Sequence, residues 1–412
     1  MEEKPEILQL YELRYSDLIL LSSNKLPPSP EEIRRLETVS ETIMQNLGPT
    51  GPGLLSIVGV PKASVLRKAL LPLARKLSLL SNDDRKLILK EHNLGSDVAL
   101  KDLDRIVSSF AMQMKYEQRT CDGVNNEKME GEFEDEEFKN LGSVFKELGF
   151  CMMELGLRVA RICDRVIGGH ELEQSLLLSG TAKGRLIHYH SRIDNFVIKE
   201  AAKRKGRRIS QVNLGNEVTV FDEKKLDLWQ QWHYDYGIFT ILAAPMFMLS
   251  NANFELECEC PTDHTYLQIL DPEKNRVLMM KASMESFIVQ VGESADVLSK
   301  GKLRAALHCV CRPRKTENLS RETFVVFLQP AWSKTFHLSD YPVERLTSSS
   351  QDSESYLEGT HGARKDSNGL TQKIHQLVPP LHSRLKDGMT FAEFSRETTK
   401  QYYGSSGLQP NR

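Results

Sequence analysis

Several things this chain lacks narrow its class. No apolar run approaches the roughly 18 residues that span a bilayer, so no membrane helix is expected. The opening residues Met1-Glu2-Glu3-Lys4-Pro5-Glu6 carry neither the basic patch nor the apolar stretch of a secretory leader. The 7 cysteines are odd in number and show no disulfide-framework spacing, which predicts a reduced, cytoplasmic setting. A net charge of −2 gives no general attraction to nucleic acid or acidic lipid, and neither is expected as a partner. No phosphate-cradling glycine loop of either common type is found. His170-Glu171-Leu172-Glu173-Gln174 comes near the zinc-protease helix motif but ends in Gln, so its second ligand is missing. Cys258-Glu259-Cys260 and Cys309-Val310-Cys311 have strand spacing rather than zinc-knuckle spacing and read as ordinary thiols.

What is present is enough for a sizeable core: 412 residues, 40% apolar and 27% charged. Ser29-Pro30-Glu31-Glu32 combines a cap residue, Pro at the first helical position and Glu in the first turn, which predicts a helix over 30–46. The apolar run 54–60 predicts a buried strand. Leu66, Leu70, Leu73 and Leu77 predict a helix from 63 onward, with Pro72 kinking or splitting it. Phe138, Leu141, Phe145, Leu148, Met152, Leu155, Val159 and Ile162 form an apolar stripe over 138–166. The acidic flank 127–137 reads as a solvated loop.

From 184 to 328 the pattern turns to short runs of period two, at 185–189, 218–221, 266–270, 286–291 and 323–328. Strands in series without alternating helices predict a sandwich, barrel or jelly roll rather than a parallel sheet. The basic run Lys203-Arg204-Lys205-Gly206-Arg207-Arg208 suits an exposed loop, or else a nuclear import signal. Beyond Pro330 order is expected to fade, with a flexible linker over 347–369 and a short helix over 390–402 edged by Phe391 and Phe394.

Three fragments carry chemistry. His233-Tyr234-Asp235 has the same-face spacing of a strand, so one element would present an imidazole and a carboxylate to one ion. Alone, that motif also suits a surface strand. His308 is the candidate third ligand, with His188, His190 and His264 as rivals. Two imidazoles and a carboxylate suit Fe(II) with coordination positions left open. Arg321 and Thr323 share one face of a strand, where a guanidinium grips a carboxylate through two parallel hydrogen bonds. Buried, Arg321 needs an acid or an anionic ligand; at an exposed strand edge it would need neither.

Taken in order, these residues resemble the non-haem Fe(II)- and 2-oxoglutarate-dependent dioxygenases, in the isopenicillin-N-synthase-like branch abundant in plants. The family pattern His-x-Asp, distal His, Arg-x-Ser/Thr is matched by His233, Asp235, His308, Arg321 and Thr323. Residues 287–308 resemble the family's segment before the distal His, with Val291-Gly292-Glu293 and the turn Leu298-Ser299-Lys300-Gly301. The resemblance covers 186–330 well and 53–93 more weakly. It implies an α+β protein: a double-stranded β-helix (jelly-roll) core at 184–330, an N-terminal mainly helical region at 1–183 packed on it, and a C-terminal helical extension at 331–412.

The same resemblance implies that His233, Asp235 and His308 hold iron, and that Arg321 and Thr323 bind the far carboxylate of 2-oxoglutarate. Tyr189 would add a hydroxyl contact, although Ile187 and His190 replace the Asn and Pro of the family's segment there. Dioxygen would be the co-substrate and ascorbate a candidate accessory reductant. A small organic substrate would be hydroxylated, desaturated or demethylated with release of succinate and CO2, by a monomeric enzyme. Two other readings stay open: an iron oxidase on the same scaffold that needs no keto acid, and a jelly-roll binding protein without turnover.

Overall fold

The computed structural model describes residues 5–24, 29–116, 137–206, 228–251, 254–260, 262–271, 273–313, 316–347 and 365–403. Helices begin where the cap signals lie. Ser29 Oγ accepts from the Glu32 backbone N–H at 3.2 Å and opens the helix Pro30–Leu47. The next helix, Ala63–Leu79, runs through Pro72 as one element instead of splitting there. Pro72 removes the bond to the carbonyl of Lys68, which lies on the exposed side where water can replace it. Leu66, Leu70, Leu73 and Leu77 hold the opposite side in the core. The long helix Leu141–Ile167 buries the predicted stripe from Leu141 to Ile162, and Phe138 is buried in the turn just ahead of it.

The strands are β1 (Ile7–Gln9), β2 (Glu12–Arg14), β3 (Leu54–Val58), β4 (Val107–Lys115), β5 (Thr181–Tyr189), β6 (Leu228–His233), β7 (Phe239–Ala243), β8 (Met246–Asn251), β9 (Phe254–Cys258), β10 (Leu267–Asp271), β11 (Arg276–Lys281), β12 (Phe287–Val291), β13 (His308–Cys311) and β14 (Leu319–Leu328). They form two sheets. The smaller has the order β1-β11-β10-β13-β6; the larger runs β2-β3-β12-β7-β14-β5-β4, with the β8–β9 hairpin attached to β14. Only β1 with β11 and β2 with β3 pair in parallel among the described strands. The N-terminal part therefore supplies strands as well as helices, and β5 starts at Thr181, ahead of the boundary expected at 184. Apolar periodicity does not mark β1 and β2 because each has only three residues.

Pleating decides what each face of the larger sheet touches. Leu186, Ile241, Phe324 and Val326 face the helices, and Phe145 meets Phe324 edge-on at 4.6 Å between ring centroids. Gly156 lets helix Leu141–Ile167 approach closely, since a Cβ there would stand 2.0 Å from Leu328 Cδ1. On the opposite face Ile187, Leu242 and Val325 join Trp229, Ile269 and Val310 of the smaller sheet in a second apolar cluster. The molecule is thus layered helix, sheet, sheet. Central strands such as β7 are buried on both faces, which is why they read as continuous apolar runs.

Beyond Pro330 the chain is more ordered than its composition suggests. Phe336, Tyr341, Phe391 and Phe394 share a buried cluster, and the helix Phe391–Tyr403 docks on the main body. Arg384, 1% exposed, donates to both carboxylate oxygens of Glu293 at 2.6 and 2.5 Å. The expected linker 347–369 falls mainly outside the described residues, but 365–369 belong to the helix Lys365–Leu377. The expected strand 218–221, most of the acidic segment 127–137 and the end of the basic run 203–208 also lie outside them. No helix among the described residues is long and apolar enough to cross a membrane.

Candidate metal centre

Strand register brings the two histidines together. In the antiparallel pair β6–β13, His233 and His308 stand directly opposite, with ring centroids 4.2 Å apart. His233 Nδ1 lies 2.7 Å from the Gln231 carbonyl oxygen, and His308 Nδ1 lies 3.1 Å from that of Ala306. A carbonyl only accepts, so each Nδ1 carries the proton and each Nε2 keeps a lone pair for a metal. Burial and the neighbouring His308 push the His233 imidazole down to about 4, so it is neutral near pH 7.

Asp235 departs from the expected geometry. It does not share a strand with His233, because β6 ends at His233 and the chain then crosses to the other sheet. The crossing is tight: a Cβ on Gly237 would stand 2.8 Å from the Leu328 oxygen, and one on Gly292 would stand 2.3 Å from the Gly237 oxygen. Asp235 is instead positioned by side chains. Its Oδ2 accepts from Thr240 Oγ1 at 2.6 Å and from Gln290 Nε2 at 2.8 Å, while its Oδ1 lies 3.7 Å from His233 Nε2. Thr240 on β7 and Gln290 on β12 occupy registered positions of paired strands. One donor atom from each of His233, Asp235 and His308 falls within 4.8 Å of the others, the single such group among the described residues. The convergence, the oriented lone pairs and the two-nitrogen, one-oxygen donor set fit a ferrous ion.

The three donors line a cavity of about 300 Å³ between the sheets. Arg321 and Thr323 of β14 and Tyr189 of β5 line it too, with Arg321 and Tyr189 paired in register. Arg321 is 2% exposed and burial lowers its guanidinium from the usual range. Its Nε donates to the Thr265 carbonyl at 3.0 Å and the guanidinium lies 5.0 Å from the Tyr189 ring centroid. No acid among the described residues pairs with it; Glu322 faces the other way and is held by His188. The Thr323 hydroxyl donates to the Ala243 carbonyl at 3.0 Å, leaving it as an acceptor toward the cavity.

The rival histidines are engaged elsewhere. His188 Nδ1 lies 2.7 Å from Glu322 Oε2, His190 Nε2 lies 2.8 Å from Ser108 Oγ, and His264 Nδ1 accepts from the Tyr266 backbone N–H at 3.2 Å. Motif reading misses the glutamines. The Tyr189 hydroxyl donates to Gln230 Oε1 at 3.0 Å, and Gln230 Nε2 lies 2.9 Å from His233 Nε2, so one amide links the tyrosine to the candidate metal ligand. The period-two spacing of Gln230 from Trp232 and of Gln290 from Ile288 signals strand faces, but nothing in it distinguishes a cavity face. Motif reading misses the docked tail as well: Tyr402 accepts from the Tyr234 backbone N–H at 3.2 Å and its ring stands 6.5 Å from that of His233.

No protein-family model and no curated protein sequence matches the chain. Solved structures do resemble it. The structure of JOX2 in complex with 2OG, Fe and JA aligns over 100% of this chain and 92% of its own, at 13% identity and a TM-score of 0.51. A full-length Neurospora crassa protein, in complex with alpha-KG and 5-formyluracil, aligns over 91% and 97% at 15% identity and a TM-score of 0.47. The dioxygenase for auxin oxidation in rice aligns over 78% and 83% at 16% identity and a TM-score of 0.45. The JOX2 match shows that this chain shares its fold.

Proposed function

We propose that this protein is an Fe(II)- and 2-oxoglutarate-dependent oxygenase of small organic molecules, and that its two sheets are the halves of a double-stranded β-helix. One observation carries the reading: a buried guanidinium without an acid partner lines the same cavity as two imidazoles and a carboxylate that converge on one point. An isolated buried charge is strongly unfavourable, so the cavity is built to receive an anion. JOX2, solved with 2OG and Fe on this fold, supports the choice of iron and keto acid.

In this reading His233, Asp235 and His308 hold the iron, and Arg321 receives the far carboxylate of 2-oxoglutarate through its planar fork. Bound Fe(II) with 2-oxoglutarate would supply the electrons that activate dioxygen, one oxygen atom leaving in succinate as CO2 is released and the other oxidising a substrate C–H bond. The protein contributes placement. The Gln231 and Ala306 carbonyls fix both imidazoles, and Thr240 with Gln290 aims Asp235. Tyr189 lies beneath the guanidinium, and Gln230, whose Nε2 stands 2.9 Å from His233 Nε2, would yield that lone pair to the metal. Tyr402, from the docked tail helix, keeps bulk water from that side.

Oxygen uptake by the Fe(II)-loaded protein, with and without 2-oxoglutarate, tests the reading. Uptake that depends on 2-oxoglutarate and yields succinate is expected. Uptake indifferent to the keto acid would instead make this an oxidase whose Arg321 holds the substrate. An Fe(II) titration with no binding would sink both.

A further inference from the structure

The cavity that holds the metal ligands has a second cationic end. Lys183, Arg185, Ile187 and Tyr189 alternate along β5 and all line it. Exposure rises along this row, from Arg321 at 2% beside Tyr189 to the side chains of Arg185 at 31% and Lys183 at 32%. Arg185 therefore lies at the mouth, about 13 Å along the strand from Tyr189. Between the two ends the lining carries the apolar side chains of Ile187, Leu242 and Val325, with Thr323 and Ser109 on the strands paired at Ile187.

Charge at the mouth does not balance. Asp97 Oδ2 lies 2.8 Å from Lys183 Nζ and 2.5 Å from an Arg185 Nη, so one carboxylate serves two cations. Arg185 Nε is buried without a hydrogen-bond partner among the described residues, and the guanidinium lies over the Phe327 ring, 4.9 Å from its centroid. A cationic substrate would meet two cations that already share Asp97 Oδ2, while Oδ1 is buried beside them. Among the described residues, an anion meets one surplus positive charge.

Accordingly, we propose that Arg185, with Lys183 beside it, receives an anionic group of the substrate, which makes an organic acid with an apolar body the substrate class. The proposal rests on the oxygenase reading for the word substrate, but the site itself is independent of iron. A carboxylate fits the guanidinium fork, and a phosphate monoester shares that chemistry.

The test is calorimetric titration of the full chain, loaded with Fe(II) and 2-oxoglutarate under anaerobic conditions at low salt. The probes are octanoate, 3-phenylpropanoate and octyl phosphate, against octanamide and 3-phenylpropanamide. The acids are expected to bind about tenfold more tightly than their amides, as a charge-assisted contact predicts. Arg185→Gln should bring that ratio close to one while leaving 2-oxoglutarate affinity unchanged. Asp97→Asn, which releases both cations, should raise acid affinity severalfold, an effect that a purely structural ion triad would not produce. A tighter octyl phosphate than octanoate would assign the anion as a phosphate ester. Equal binding of acid and amide, no binding of any acid, or a ratio that survives Arg185→Gln would overturn the proposal. Wild-type protein that binds the acids selectively but not 2-oxoglutarate would sink the oxygenase reading and leave this site standing.

Discussion

The two faces of strands β5 and β14 use the same kinds of residue to opposite ends. Toward the helices, Glu322 and His188 stand in register at 2.7 Å, Ser320 Oγ donates to Glu322 at 2.6 Å, and Arg75 donates to Asp194 at 2.7 Å beside His188. Each charge there has an opposite within reach. One residue along, toward the cavity, Arg321 and Tyr189 are equally buried, yet the guanidinium faces no acid. A closed ion network is a way of folding; an open one is a way of waiting for a ligand. Burial and residue type alone do not separate the two, and the pleat does.

The comparison can be broken most directly at the candidate metal centre. His308→Ala should abolish Fe(II) binding and turnover, since it leaves one imidazole and one carboxylate; a titration showing an unchanged iron stoichiometry would dissolve the site. Next come matched substitutions on the two faces. Glu322→Gln should cost on the order of 3 kcal/mol of stability by removing the nearer of the two carboxylates beside the buried His188, with 2-oxoglutarate affinity in the surviving folded protein unchanged. Arg321→Lys should do the reverse, weakening 2-oxoglutarate about tenfold or more because one ammonium cannot replace the fork, while denaturant midpoints barely move. Equal effects of both changes on stability and affinity would erase the distinction between faces.

A third, smaller effect concerns pH. Burial opposes the charge on His188, but Glu322 and Asp194 outweigh it and raise the imidazole from 6.5 to about 9. Its folded-state pKa lies above the unfolded value, so its stabilisation is complete below about pH 6.5 and is lost as pH rises through about 9. Thermal midpoints should fall across that window, and His188→Gln should flatten the slope; a slope that persists would place the titrating group elsewhere. The smallest change expected is Thr323→Val, about 1 kcal/mol in stability from the lost bond to the Ala243 carbonyl, with a 2-oxoglutarate affinity altered no more than severalfold.

Much of this is legible from residue order, for identifiable reasons. The Ser29 cap and the stripe from Phe138 to Ile162 are local signals, set by hydrogen bonds and contacts within a turn or two. His233, His308 and Arg321 can be named because metal and carboxylate chemistry restricts residue type so strongly. Asp235 reads as a strand residue because a spacing of two looks the same in a strand and in a crossing between sheets. Thr240 and Gln290, which aim Asp235, are ordinary polar residues whose role exists only in register. The tail reads as less ordered than it is because its anchors, Phe336, Phe391 and Arg384, are sparse and separated by polar stretches.

The Arg384–Glu293 pair ties the extreme of the chain to its chemistry. Glu293 also donates its backbone N–H to the Asp235 carbonyl at 2.8 Å, so the tail grips the very turn that carries the acidic ligand. Trimming the protein ahead of residue 384, a natural economy for expression or crystallisation, would strand a buried carboxylate one hydrogen bond away from the turn that carries Asp235. Such a shortened version is expected to fold less well and to hold metal poorly, and its inactivity would say nothing against the proposed activity of the full chain.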